Sequence, residues 1–116
     1  MDARQELGIT GEDAAARFLE LKGYSILDRR WRCSHGEIDI VAANAHSTVI
    51  VEVKTRRSLR FGSPFEAIVP SKLRRLRELA VLWSRAHQSR GPLRIDIIGI
   101  VDGEEGFHIE HREAVA

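Results

Sequence analysis

The sequence predicts an α/β fold, a mixed sheet flanked by helices in the order αβββαβ. Three observations carry this. Apolar residues recur at helical spacing in two stretches, 10–22 and 71–88. Two neighbouring runs, 36–42 and 49–56, alternate apolar and polar residues, as half-buried strands do. A β-branched run at 93–101 follows the second helix. The strands on either side of that helix make a βαβ unit, for which a right-handed crossover is the default.

Residues 1–8 show no pattern and are expected to be loose. Thr10 can cap the first helix, with Asp13 in a capping-box-like position, and Gly23 is placed to end it. Ala14, Phe18 and Leu21 form its apolar stripe, with Ala15 and Leu19 beside it. Glu12 lies at the edge of that arc, and a first-turn acid is favoured there by the helix dipole alone. Residues 24–32 read as a first strand whose polar interruptions suggest an edge. Trp31 is expected to pack on the sheet.

The next two strands form a hairpin. In the second, Val49, Val51 and Val53 face one way, and Ile50, Glu52 and Lys54 the other. In the first, Ile38 and Ile40 share one face, and Glu37, Asp39 and Val41 the other. A turn at Ala45-His46 opposes Asp39 to Glu52 and Glu37 to Lys54. Carboxylates opposed on neighbouring strands repel unless a cation lies between them. An acid and a lysine two residues apart also fit a plain cross-strand ion pair on an exposed face.

Residues 57–70 form a loop that Phe61 and Phe65 could fold down over the sheet. Ser71 can cap the second helix, which Arg90-Gly91-Pro92 stops after about Gln88. Leu73, Leu76, Ala80, Trp83 and His87 form its core stripe. Lys72 projects beside that stripe, either snorkelling to solvent or reaching a functional contact. Asp96 interrupts the fourth strand and is expected to pair with a nearby arginine. Residues 107–111 can add a short last strand.

At 116 residues, with 43% hydrophobic and 30% charged side chains, the chain reads as one domain with a modest core. No apolar run approaches membrane-spanning length, and no apolar signal core opens the chain, so a cytoplasmic protein is expected. The lone Cys33 fits a reducing compartment. A net charge of +1 says little, but its distribution says more. Between Lys54 and Arg77 there are eight basic residues and one acid, Glu66. A solvated helix face and a charged loop account for this, as does a polyanion held beside a carboxylate cluster.

The ordered set Gly36-Glu37-Ile38-Asp39 and Val51-Glu52-Val53-Lys54-Thr55-Arg56 resembles the active-site signature of the PD-(D/E)XK nucleases. More narrowly, the chain is similar to the YraN family of small predicted nucleases. The resemblance continues in Gly11-Glu12, Gly23-Tyr24, Phe61-Gly62-Ser63-Pro64, Lys72, Arg94-Ile95-Asp96 and His111, and so covers nearly the whole chain. Ile38 stands in place of the superfamily's proline, and Arg30 in place of an expected asparagine.

The resemblance implies a restriction-endonuclease-like fold and hydrolysis of phosphodiesters with Mg²⁺ or Mn²⁺. Asp39 and Glu52 would hold the metal with the Val53 carbonyl. Glu12 would be the third acid, acting directly or through water. Lys54 would orient the attacking water, stabilise the transition state, or act as a base. Arg56, Arg57, Arg60, Lys72 and Arg75 would contact phosphates, with DNA expected before RNA and branched intermediates among the substrates. No membrane partner is expected, and symmetric nicking of a junction would require a homodimer. The alternatives are a nucleic-acid-binding module that does not cleave, or a basic domain for a protein or anionic surface.

Overall fold

A computed structural model describes residues 1–60 and 62–116. The order is α1 (Ala3–Leu21), β1 (Ser25–Cys33), β2 (Gly36–Ala43), β3 (Thr48–Arg56), a 3₁₀ turn (Pro64–Ala67), α2 (Pro70–Ala86), β4 (Leu93–Gly103) and β5 (Gly106–Arg112). The strands form one sheet in sequence order. Only β3 and β4, joined through α2, are parallel; the other neighbours are antiparallel. This is the expected αβββαβ order, with β5 added at the edge.

The two helices cover opposite faces. Ala15, Ala16 and Leu19 of α1 pack on Ile40, Ala42, Val49, Val51, Ile98 and Ile100. Leu76, Leu79, Ala80 and Trp83 of α2 pack on Ile38, Val41, Ile50 and Ile95. Each fully buried aliphatic side chain contributes roughly 1.5–3 kcal/mol by transfer, so both helices are held by their apolar faces more than by propensity.

Several boundaries differ from the expectation. Helix α1 begins at Ala3, because Asp2 and Gln5 form a reciprocal capping box there. Thr10 lies inside the helix, with its hydroxyl donating to the Glu6 carbonyl at 2.8 Å. Residues 3–8, expected to be loose, are therefore helical. The buried stripe centres on Glu12, Ala15, Ala16 and Leu19, and Leu21 is 78% exposed. Helix α2 starts at Pro70 instead of after Ser71, since proline lacks only an N–H that the first turn leaves unbonded anyway.

The hairpin turn falls where the alternation puts it. Asn44 Oδ1 accepts from the amides of His46 and Ser47, at 2.9 and 2.8 Å, and the pairs run from Ala43–Thr48 to Ile40–Val51. Two close approaches then fix the layers. A Cβ on Gly11 would overlap Thr55 Oγ1, so α1 crosses the end of β3 at contact distance. A Cβ on Gly99 would sit 2.6 Å from the Phe65 ring, which folds the loop down on β4 as expected for Phe65. The Phe61 expectation lies outside the described residues.

Gly11→Ala and Gly99→Ala should each cost about 1–3 kcal/mol, because the methyl group forces a packed partner aside. Gly8→Ala, where nothing lies within 4 Å, should be neutral or stabilising. Denaturant unfolding of the three variants checks this, and equal effects at Gly8 and Gly11 would contradict the crossing.

Candidate active site

The β2–β3 ladder ends at Ile40 and Val51. Continuing that register opposes Asp39 to Glu52, as expected, but the backbones no longer bond there. Instead Asp39 Oδ2 accepts from the Val53 amide at 2.8 Å. The carboxylate takes the place of a main-chain acceptor in the gap between the strands.

The reason lies on the neighbouring strand. Pairing of β1 with β2 passes from Arg29–Ile40 to Trp31–Ile38, skipping Arg30 and Asp39. Arg30 has φ +51°, the left-handed region that asparagine tolerates far better than arginine. This gives a physical account of the asparagine expected at that position. The irregularity also corrects the strict alternation predicted for β2. Ile38 packs under α2 while Ile40 packs under α1, and Val41 joins the α2 side. A half-turn between them leaves Asp39 in the gap, not on a regular face.

Glu12 and Glu52 flank it. Glu12, 8% exposed, is held by Arg30 Nε at 3.0 Å and Arg29 Nη2 at 3.3 Å. Glu52, 4% exposed, is held by Lys72 Nζ at 2.9 Å, with Lys54 Nζ at 4.0 Å. Both buried charges are thus neutralised, as burial demands. Asp39 has no cationic partner within 4 Å among the described residues. Burial, hydrogen bonding with Glu52 and the charges of Glu52 and Glu12 outweigh the Val53 bond, and its carboxyl is pushed up to about 8. Glu12, Arg30, Arg32, Glu37, Asp39 and Val53 line an open cleft of about 410 Å³.

The structure therefore brings Glu12, Asp39, Glu52 and Lys54 together, with the Val53 backbone among them. Lys72 joins this group as the nearest ammonium to Glu52, closer than Lys54. Arg75 lies along β2, its Cδ 3.9 Å from the Cβ position of Gly36. Arg56, Arg57 and Arg60 lie apart, in a separate cavity with Arg4. Glu37 pairs with Arg32 at 3.0 Å rather than with Lys54. Sequence patterning missed Arg29, Arg30 and Arg4; nothing in their spacing points to a site, because their partners come from other elements.

Tyr24, Arg94, Asp96 and His111, also part of the resemblance, form a second polar cluster, toward the C-terminal end of α1. Asp96, fully buried, accepts from Arg94 Nε at 2.9 Å and Nη2 at 2.8 Å, from the Ala114 amide at 3.0 Å, and contacts His111 Nε2 at 2.7 Å. Burial alone would raise its pKa, but these bonds outweigh it and lower it. Tyr24 bonds Arg94 and Glu113, and Lys22 Nζ lies 2.8 Å from His111 Nδ1. Asp96, His111 and Glu113 bring ligand atoms within 4.8 Å of one another, a spacing that could hold a metal ion. The Arg94 guanidinium already bridges both carboxylates, at 2.8 and 3.0 Å, and occupies the cationic role there.

No helix among the described residues is long and apolar enough to cross a membrane. Residues 11–100 match the family model described as "Uncharacterised protein family UPF0102". A UPF0102 protein of Renibacterium salmoninarum is 54% identical over 114 residues, covering 96% of each chain. One from an Arthrobacter species is 50% identical over 99% of each, and one from Streptomyces griseus 44% over the full length of both. With the match spanning most of the chain and relatives aligned end to end, this protein belongs to the UPF0102 family.

Proposed function

We propose that the protein is a metal-dependent nuclease that hydrolyses phosphodiester bonds, with DNA as the expected substrate. One observation carries the reading: Asp39 and Glu52 meet in the gap between β2 and β3, with Asp39 lacking a cationic partner within 4 Å among the described residues. A carboxyl pressed against a second acid without a cation of its own holds its proton more tightly. Glu52 is paired with Lys72, but among the described residues no basic side chain completes Asp39 as Arg94 completes Asp96.

The donor set fits a hard divalent cation, being all oxygen and including one carboxyl, Asp39, without a cationic partner of its own among the described residues. Asp39 and Glu52 would hold Mg²⁺ or Mn²⁺, with the Val53 carbonyl, and with Glu12 acting directly or through water. Such an ion supplies charge stabilisation on the phosphate and a more acidic bound water. Lys54 and Lys72 place positive charge beside Glu52, where it can stabilise a phosphorane-like transition state. Arg29 and Arg30 hold the Glu12 carboxylate and fix its direction into the cleft. The basic side chains of the 54–77 stretch would contribute sequence-independent, salt-dependent contacts.

Glu52→Gln should weaken Mg²⁺ or Mn²⁺ binding at least about tenfold and abolish cleavage. Lys54→Ala should keep metal affinity or tighten it, while cleavage falls on the order of a hundredfold or more. Calorimetric titration beside a cleavage screen on single-stranded, duplex, flap and four-way-junction DNA checks both. Equal metal affinity in wild type and Glu52→Gln would remove Glu52 as a ligand. No cleavage of any substrate by the wild type would favour the binding module instead.

The metal-free fold should also respond to pH in a defined direction. Asp39 titrates near 8 when folded, against 3.8 as an isolated side chain, as part of a pair with Glu52. The stability its proton contributes is complete below 3.8 and is lost as pH rises through about 8, at up to about 1.4 kcal/mol per pH unit. Asp39→Asn should therefore gain on the wild type between pH 4 and 8 when metal is chelated. Urea unfolding across that range reads the effect, and parallel curves for the two proteins would contradict it.

A further inference from the structure

Helix α1 is a ridge between two cavities of opposite character. Gln5, Gly8, Ile9 and Glu12 turn toward the carboxylate cleft. Arg4 and Leu7 turn the other way, into a cavity of about 660 Å³ completed by Thr55, Arg56, Arg57 and Arg60. That volume is in the range of ligand pockets. Among the described residues its lining carries four guanidinium groups and no acid.

The cavity is built by the fold, not by chance proximity of surface chains. The capping box at Asp2 starts α1 early enough to present Arg4. The contact of Gly11 with Thr55 sets where Leu7 and Arg4, four and seven residues back on the same stripe, meet the end of β3. Arg57 Nη2 then donates to the Ala3 carbonyl at 3.3 Å, closing the floor between strand and helix. Arg56 is oriented by the Thr55 carbonyl at 3.1 Å. Neither Arg4, Arg56 nor Arg57 has a carboxylate partner among the described residues.

We propose that this cavity binds a terminal phosphate of the nucleic-acid strand whose neighbouring diester lies at Asp39 and Glu52; this rests on the nuclease reading. The number of cations carries the choice of a strand end. An internal diester brings one negative charge, whereas a monoester brings nearly two and three open oxygens, which several guanidinium forks can share. Leu7 supplies an apolar wall for the last sugar or base. Val53, in the carboxylate cleft, and Arg56 are about 10 Å apart along β3, so a single strand can reach both. The protein would thus recognise an end and act a short way inside it.

The test uses the full chain with metal chelated, so that binding is read apart from cleavage. Single-stranded oligonucleotides with a 5′-phosphate, a 3′-phosphate or hydroxyls at both ends compete against an internally labelled strand. One phosphorylated end should bind at least about tenfold more tightly than the hydroxyl form. Arg4→Gln, a change at an exposed helix position, should erase that difference, and Arg85→Gln at the far end of α2 should keep it. Equal affinity for all three strands, or a preference that survives Arg4→Gln, overturns the proposal. So does competition by a mononucleotide as strong as by the phosphorylated strand, which would assign the cavity to a free phosphate ligand. An end preference without any metal-dependent cleavage upholds the cavity and removes the nuclease reading; cleavage without end preference does the reverse.

Discussion

The bond from the Val53 amide to Asp39 Oδ2 is the constraint around which the site is arranged. A strand amide facing a gap must find an acceptor, since an unpaired buried N–H costs about 1–3 kcal/mol. Here the acceptor is a carboxylate. Using it lets β2 and β3 separate without orphaning the backbone, and brings Asp39 against Glu52. The hydrogen bond favours the charged form, yet burial and the neighbouring acids win, and the proton stays on. The fold thus maintains a carboxyl pair that ordinary packing would avoid.

The contrast with Asp96 shows why this matters. Asp96 is fully buried and Asp39 half-buried at the cleft, and both accept a backbone amide. Asp96 is completed by Arg94 and His111, and its pKa falls. That cluster ties β4, β5, the chain after β5 and the end of α1 into one unit, which is a structural task. Asp39 meets two acids instead, and its pKa rises. The same residue type therefore serves stability in one place and, in the proposed reading, chemistry in the other. The difference lies in which charges the surrounding elements supply.

Much of this was legible in the sequence where local rules decide. Alternation and the Asn44 turn set the hairpin register, and helical spacing placed both helices against the sheet. Asp96 was recognisable as an arginine partner because a charge inside a β-branched run has to be paired. The failures are non-local. The half-turn at Asp39 depends on Arg30 of the adjacent strand, so parity counted along β2 alone misplaced Ile38 relative to Ile40. Lys72 reads as a first-turn lysine until α2 is docked and its ammonium meets Glu52. Arg4 sits in a stretch without apolar periodicity, and only the capping box makes that stretch helical.

If Asp39 and Glu52 form a cation site that stays partly protonated without its ion, metal binding must release protons. Manganese binding is titrated calorimetrically near pH 7 in two buffers of different ionisation enthalpy, which counts the protons released. Saturable binding with release of about one proton per chain is expected, since the folded Asp39 carboxyl titrates near 8 and metal ligation requires its charged form. Binding with no proton release, or no binding at millimolar metal, would contradict it.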